Sequence, residues 1–326
     1  MMKNNKKILI KTGIGILAVI AIATVVLISG GVEEKPADEC ISGDGTCSTG
    51  CNYEQDTDCE SEDTISWCGA FLNLPLSTGE ERYGESRWAK NNEWFFDKRW
   101  WETYLNELED SGYTALAFAH SQPFPSIVKF KDYPEANALS DEELNKNTEQ
   151  LMWIFSECHK HNISTYIWFM NIFVSQNFAD AHEIKQQGVR SPLTAKYTSS
   201  AVKELLLAYD DLDGLIITLA ENVKGNPTTW FKEGILPGIQ ESGKHPHVIV
   251  RYWVFPYDGG DDIAGDFKQN VVPAYDNLWF QIKYNMEMVA GTTPDPIIEE
   301  WQSKLNISFV IWFFDSNKIM GSGLAI

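Results

Sequence analysis

The chain has 326 residues, 44% hydrophobic and 13% aromatic, enough apolar material for one large domain with extensions. Its formal charge is −20 and its pI is near 4.6. So acidic a surface repels phosphate backbones and excludes a general nucleic-acid-binding role, and it repels polyanionic polysaccharide unless basic residues line the site.

Residues 1–11 carry Lys3, Lys6, Lys7 and Lys11 and read as a basic cytoplasmic tail. Residues 12–32 run without a charge; at 1.5 Å per residue this stretch crosses the roughly 30 Å core of a bilayer. The lysines on its N-terminal side predict a single-pass anchor with the body of the chain outside the cell membrane. A cleaved signal peptide is the rival reading, but its apolar region normally has only about 7–15 residues. Residues 33–64 form an acidic stalk holding Cys40, Cys47, Cys51 and Cys59. Outside the membrane, two disulfides are the expected state, with the pairing left open. No closely spaced CxxC pair favours zinc, and Asp44, Asp56 and Asp58 do not have EF-hand spacing. The stretch resembles short cysteine-rich GDGxC…DxDC modules of archaeal and bacterial surface proteins, which implies a spacer.

From Ile65 to Ile326 the pattern becomes regular. Strands are expected at about 65–74, 114–120, 164–171, 215–219, 247–254, 278–284 and 307–314. Asp97 is placed to cap a helix that runs to about Ser111 and is ended by Gly112. Ser140 and Glu143 form a capping box opening a helix to about His161. Further helices are expected at about 199–209, from Asn226-Pro227 to a break at Pro237-Gly238, at about 262–271, and at about 296–305. Strands that alternate with helices and read as near-continuous apolar runs predict an α/β fold with a parallel sheet. Seven such units point to a (β/α)8 TIM-type barrel without its last unit. No Gly-rich loop follows the first strand, which counts against a nucleotide-binding fold. HExxH, GxSxG and P-loop motifs are absent from the sequence, and neither a cofactor nor a metal is expected.

In such a barrel the strand C-termini converge on one mouth. The polar residues that fall there are Asn73, His120, Asn171, Glu221 with Asn222, Lys283 with Asn285, and Asp315, with Arg251 further inside its strand and Glu287 just beyond the sixth. Each alone has a bland structural reading; a histidine at a strand end is often a satisfied core residue. Their convergence is the signal. Glycoside cleavage needs one carboxylic acid to protonate the leaving oxygen and a second carboxylate to attack or to activate water. Glu221, at the end of the stretch 213–222, supplies the first, and Asp315 and Glu287 compete for the second. Arg251 and Lys283 could hold the carboxylate of an acidic sugar, or could pair with Glu221. Trp168, Trp253, Trp279 and Trp312 could stack on sugar faces or fill the barrel core.

The stretches Phe95-Phe96-Asp97, Ala117 to Pro125, Asp132 to Ala136, Gly214 to Glu221, Ile249 to Arg251 and Lys283 to Glu287 resemble barrel glycoside hydrolases related to α-glucuronidases and β-hexosaminidases. The resemblance covers about Ile65 to Asp315 and implies that Glu221, after the fourth strand, is the general acid/base. Many retaining relatives carry Asn just before that acid; here Ala220 precedes it and Asn222 follows. The expected activity is that of an extracellular, membrane-anchored glycoside hydrolase whose partners are a carbohydrate substrate and the membrane. A non-catalytic glycan-binding barrel is the alternative, and a lyase or transglycosylase would leave the same sequence signs. The pairs His159/His161 and His245/His247 read as surface histidines, and Cys68 and Cys158 as either a third disulfide or buried thiols.

Overall fold

The computed structural model of the chain describes residues 67–78, 92–219, 226–252, 263–283, 303 and 309–312, and at 252, 263, 282, 283 and 309–312 the backbone alone. The chain divides after Thr64 into two units, and all of the described residues belong to the second. The expected anchor, the cysteine-rich stalk and whatever follows the seventh strand lie outside them. Among the described residues no helix is long and apolar enough to cross a membrane.

Among the described residues seven strands form one sheet: β1 (Gly69–Asn73), β2 (Ala115–Ala119), β3 (Ser164–Met170), β4 (Gly214–Thr218), β5 (His247–Tyr252), β6 (Leu278–Lys283) and β7 (Phe309–Trp312). They pair in sequence order, and every pairing is parallel. Alternate residues of each strand point to opposite faces, and the two faces build two separate cores. Outward residues such as Leu116, Phe118, Ile167, Phe169, Leu215, Ile217, Val248, Val250 and Phe280 pack under the helices. Inward residues Phe71, Ala115, Ala117, Ala119, Tyr166, Ile216 and Ile249 gather with Trp67, Trp168 and Trp279.

The sheet is curled into a barrel wall. Neighbouring strands lie about 4.8 Å apart, so strands two apart would stand roughly 10 Å apart if the sheet were flat. Yet Phe71 of β1 meets Trp168 of β3 edge-on at 5.3 Å between ring centroids. The Tyr166 hydroxyl of β3 lies 2.8 Å from His247 Nδ1 of β5. Such contacts across the concave side are the geometry of a TIM-type barrel.

The helices form where the sequence supplies caps. Asp97 accepts hydrogen bonds from Arg99 and Trp100 and starts α1 (Lys98–Asp110), which buries Trp101, Leu105 and Leu108. After the short α2 (Phe124–Ile127), Ser140 and Glu143 close the expected capping box on α3 (Asp141–Lys160). Leu151, Ile154, Phe155 and Cys158 of α3 are buried; each large apolar side chain there contributes roughly 1.5–3 kcal/mol. A short α4 (Gln176–Ala181) precedes α5 (Pro192–Ala208). The structure corrects the expected start of α5 at Ser199. Ser191 and Thr194 form a second capping box, and Pro192 sits in the first turn, where its missing N–H costs nothing.

The expected break at Pro237-Gly238 is also corrected. From Asn226, which caps α6 (Pro227–Trp230), the helix widens into a π segment at Phe231–Ile235 and continues as α7 (Leu236–Ser242). A wide turn ahead of Pro237 makes room for the ring that would collide with a preceding carbonyl. Gly243, at φ 68°, ends α7, and α8 (Ile263–Asn270) precedes β6. Cys68 and Cys158 are free thiols rather than a disulfide.

Candidate functional site

The inward row of the sheet sets the base and the mouth of the barrel lumen. At the base, the Trp67 indole N–H donates to the Tyr166 hydroxyl at 3.3 Å. The same hydroxyl lies within hydrogen-bond distance of His247 Nδ1, 2.8 Å away. Burial holds the His247 pKa down to about 4, so the ring is neutral at physiological pH. Burial likewise pushes the Tyr166 phenol up to about 12. Trp279 packs edge-on against the His247 ring at 4.3 Å. This corrects the reading of His247 as a surface residue: it is the first residue of β5 and faces inward. Its neighbours follow the expectation, with His159 bonded to Asp213 at 2.8 Å and His245 to Asp276 at 2.9 Å on the exterior.

Nearer the C-terminal ends, three consecutive strands place Thr218, Arg251 and Gln281 side by side, each opposite the next in register. Arg251 is only 4% exposed. Its Nη1 donates to Thr218 Oγ1 at 3.4 Å, and its guanidinium lies 5.0 Å over the Trp168 ring. The Trp168 indole N–H donates to the same Thr218 oxygen at 2.8 Å. One hydroxyl thus fixes both the indole and the cation that stacks on it. Trp168 serves here as a platform for Arg251 inside the lumen. A guanidinium stays cationic at any working pH and matches a carboxylate with two parallel N–H donors.

The strand ends carry the expected polar rim. Asn73 is the last residue of β1 and stands beside Ala119 of β2. His120 follows β2, and its backbone N–H continues the ladder to the Trp168 carbonyl at 3.0 Å. Its Nδ1 accepts the Gln122 backbone N–H at 3.0 Å, which leaves the ring proton on Nε2. Loss of hydration holds the His120 pKa down to about 4, so the ring is a neutral hydrogen-bond donor at physiological pH. Asn171, 1% exposed, follows β3; its backbone N–H donates to the Thr218 carbonyl at 3.1 Å, and its side-chain Nδ2 has no hydrogen-bond partner among the described residues. The peptide bond from Asn171 to Ile172 is cis.

The structure therefore brings Asn73, His120, Asn171 and Arg251 to the C-terminal half of one barrel. Lys283 is the last residue of β6 and pairs in register with Trp312 of β7, but their side chains are not among those described. Glu221, Asn222, Trp253, Asn285, Glu287 and Asp315 lie outside the described residues. Sequence reading missed two residues of the lumen, Thr218 and Gln281. Both were readable: each is an uncharged polar residue in a largely apolar strand at the parity that faces inward. Among the described residues no group of histidine, cysteine and acidic side chains is placed to hold a metal ion.

No family model and no curated protein matches the chain. Among solved structures it is similar to a GH138 enzyme targeting pectin rhamnogalacturonan II, at 28% identity and a TM-score of 0.65. The likeness covers 76% of this chain and 30% of that one, so this chain spans less than a third of that enzyme's length. More distant likenesses are a family 1 β-glucosidase from Thermotoga maritima (9% identity, TM-score 0.41, 68% of this chain and 67% of that one) and an E. coli 3-keto-D-glucoside 4-epimerase (12%, 0.41, 67% and 78%). The expected likeness to barrel glycoside hydrolases is met by the similarity to the GH138 enzyme.

Proposed function

We propose that the chain is a glycoside hydrolase that cleaves an acidic glycan at the C-terminal mouth of its barrel. The observation that carries this reading is the likeness, over three quarters of the chain, to a barrel enzyme that targets a pectic polysaccharide. The cation buried in the lumen supports the acidic character of the substrate. In a protein of net charge −20, Arg251 held on Trp168 adds positive charge to the lumen.

In this reading Glu221, three residues beyond the end of β4, protonates the leaving oxygen, and Asp315 or Glu287 attacks the anomeric carbon or activates water. Arg251 and Lys283 bind the sugar carboxylate. Asn73, His120, Asn171, Asn222 and Asn285 hydrogen-bond its hydroxyls, and Trp253 and Trp312 offer stacking faces. The neutral His120 suits that role, because a donor without a full charge does not compete with Arg251 for the carboxylate. Residues 12–32 tether the enzyme to the membrane, with the barrel outside the cell.

The test is hydrolysis by the full chain of rhamnogalacturonan II, oligogalacturonides and a neutral β-glucan, read as released reducing ends. We expect cleavage of an acidic glycan, and a loss of about 10²–10⁴ in kcat for E221Q. Binding of a glycan without cleavage, unchanged in E221Q, would replace the hydrolase by a glycan-binding barrel.

A further inference from the structure

We propose that Gln281 is a substrate-binding residue whose amide takes a hydroxyl of the sugar ring bound deepest in the barrel, beside Arg251. The inference rests on the glycan-binding reading of the lumen and adds a residue to it.

Gln281 is the fourth residue of β6, between outward Phe280 and the next outward position, and shares the parity of inward Trp279. It pairs in register with Arg251, whose contacts with Thr218 and Trp168 fix that part of the sheet inside the barrel. The side chain is 1% exposed, and neither Oε1 nor Nε2 has a hydrogen-bond partner among the described residues. A buried amide with both ends unmet is a standing free-energy penalty, and native structures keep few of them. Leucine or methionine would fill the same space without it.

The chemistry of the amide narrows what it meets. Oε1 only accepts, and Nε2 only donates. A carboxylate satisfies Nε2 but repels Oε1; an ammonium does the reverse. A hydroxyl both donates and accepts, and two hydroxyls on adjacent ring carbons meet both ends of one planar amide. Placed beside Arg251 in register, Gln281 recognises a neutral edge of the sugar.

The experiment compares the full-length wild type with Q281L and Q281N on rhamnogalacturonan II, oligogalacturonides and a neutral β-glucan, measuring thermal melting, KM and kcat. Leucine keeps the volume and removes both polar ends. The expected result is a KM raised by about tenfold or more in Q281L, partial recovery in Q281N, and a melting temperature equal to or above that of the wild type. A merely structural amide would do the opposite: it would lower the melting temperature and leave KM alone. An unchanged KM in Q281L, or a melting temperature several degrees lower, overturns the role of Gln281 while leaving the hydrolase reading in place. If the wild type neither binds nor cleaves any of the three glycans, the reading of the site fails, and this inference with it.

Discussion

Thr218 is the residue on which the lumen's polar geometry turns, and T218V isolates its contribution. The side chain is fully buried, and its oxygen accepts from Trp168 Nε1 at 2.8 Å and from Arg251 Nη1 at 3.4 Å. Valine keeps the shape and removes the acceptor. The indole N–H, held in place by Phe71 against its ring, then loses a well-made hydrogen bond in a buried setting, which costs about 1–3 kcal/mol. The longer contact to Arg251 adds little. A net loss of about 2 kcal/mol is expected, or roughly 4–8 °C of melting temperature for a domain of this size. T218S keeps the oxygen and loses one buried methyl group, about 1 kcal/mol, so it should melt above T218V. Urea unfolding of both variants, repeated in a W168F background, completes the test. If the stranded indole is the source of the cost, most of the loss of about 2 kcal/mol in T218V disappears when Trp168 is already phenylalanine. A T218V variant that melts at or above T218S, or a cost that is the same with and without the indole, would refute the reasoning.

Gly214 opens β4 where an added Cβ would run into the Tyr166 ring and the His247 carbonyl, so G214A should cost about 3 kcal/mol or more in urea unfolding. Gly112, at φ 77° with open space around it, should lose only about 1 kcal/mol as G112A. His247 is held neutral in the fold with its pKa near 4, against 6.5 for the free residue. The unfolded chain therefore takes up a proton between pH 6.5 and 4 that the folded chain refuses, and stability falls with pH across that window by up to about 3 kcal/mol. His120 adds a similar slope, and H247Q should remove about half of the histidine-dependent loss in urea titrations from pH 7 to 4.5. The Cys158 thiol is buried, with its pKa pushed up by desolvation, and Cys68 is pushed the same way. Neither should react quickly with a disulfide reagent in the native protein. Unfolded without reductant, the chain should show two reactive thiols of its six cysteines if Cys40, Cys47, Cys51 and Cys59 are paired; six would refute the paired stalk.

The fold was legible where local chemistry and pattern agree. Asp97, Ser140 with Glu143, and Asn226 announce their helices because a short polar side chain before an apolar-periodic run has one favourable use, which is to cap it. The strands stand out because both faces of a parallel barrel wall are buried. What failed to read depended on contacts between distant residues. Tyr197, Thr198 and Ser199 look amphipathic at best, yet α5 is set by Ser191 and Pro192 upstream and by packing on the loop that holds Phe130 and Tyr133. The π segment before Pro237 is a tertiary accommodation, invisible to a rule that proline ends helices. His247 was misread because the segment His245-Pro246-His247 looks like a surface turn; the strand that begins at His247 turns its ring inward. In the candidate site, charge made Arg251 easy to single out, whereas Thr218 and Gln281 carry no charge and show themselves only through strand parity.

The two ends of the lumen answer different demands. At the base, rings pack on rings: Trp67, Tyr166, His247 and Trp279 fill the space, and a chain of hydrogen bonds runs through the first three. Such a plug stabilises and excludes water. Nearer the mouth, the same inward rows switch to threonine, arginine and glutamine. Replacing buried polar and ionic groups by apolar residues of similar volume is often neutral or stabilising. A barrel selected for stability alone would therefore continue the aromatic plug upward through Thr218, Arg251 and Gln281. The switch occurs instead at the end where barrel strands present their chemistry, on three adjacent strands at one level. Stability is given up there in favour of groups that can meet a polar ligand, and this is why Q281L, expected to melt at or above the wild type, is also expected to weaken glycan binding.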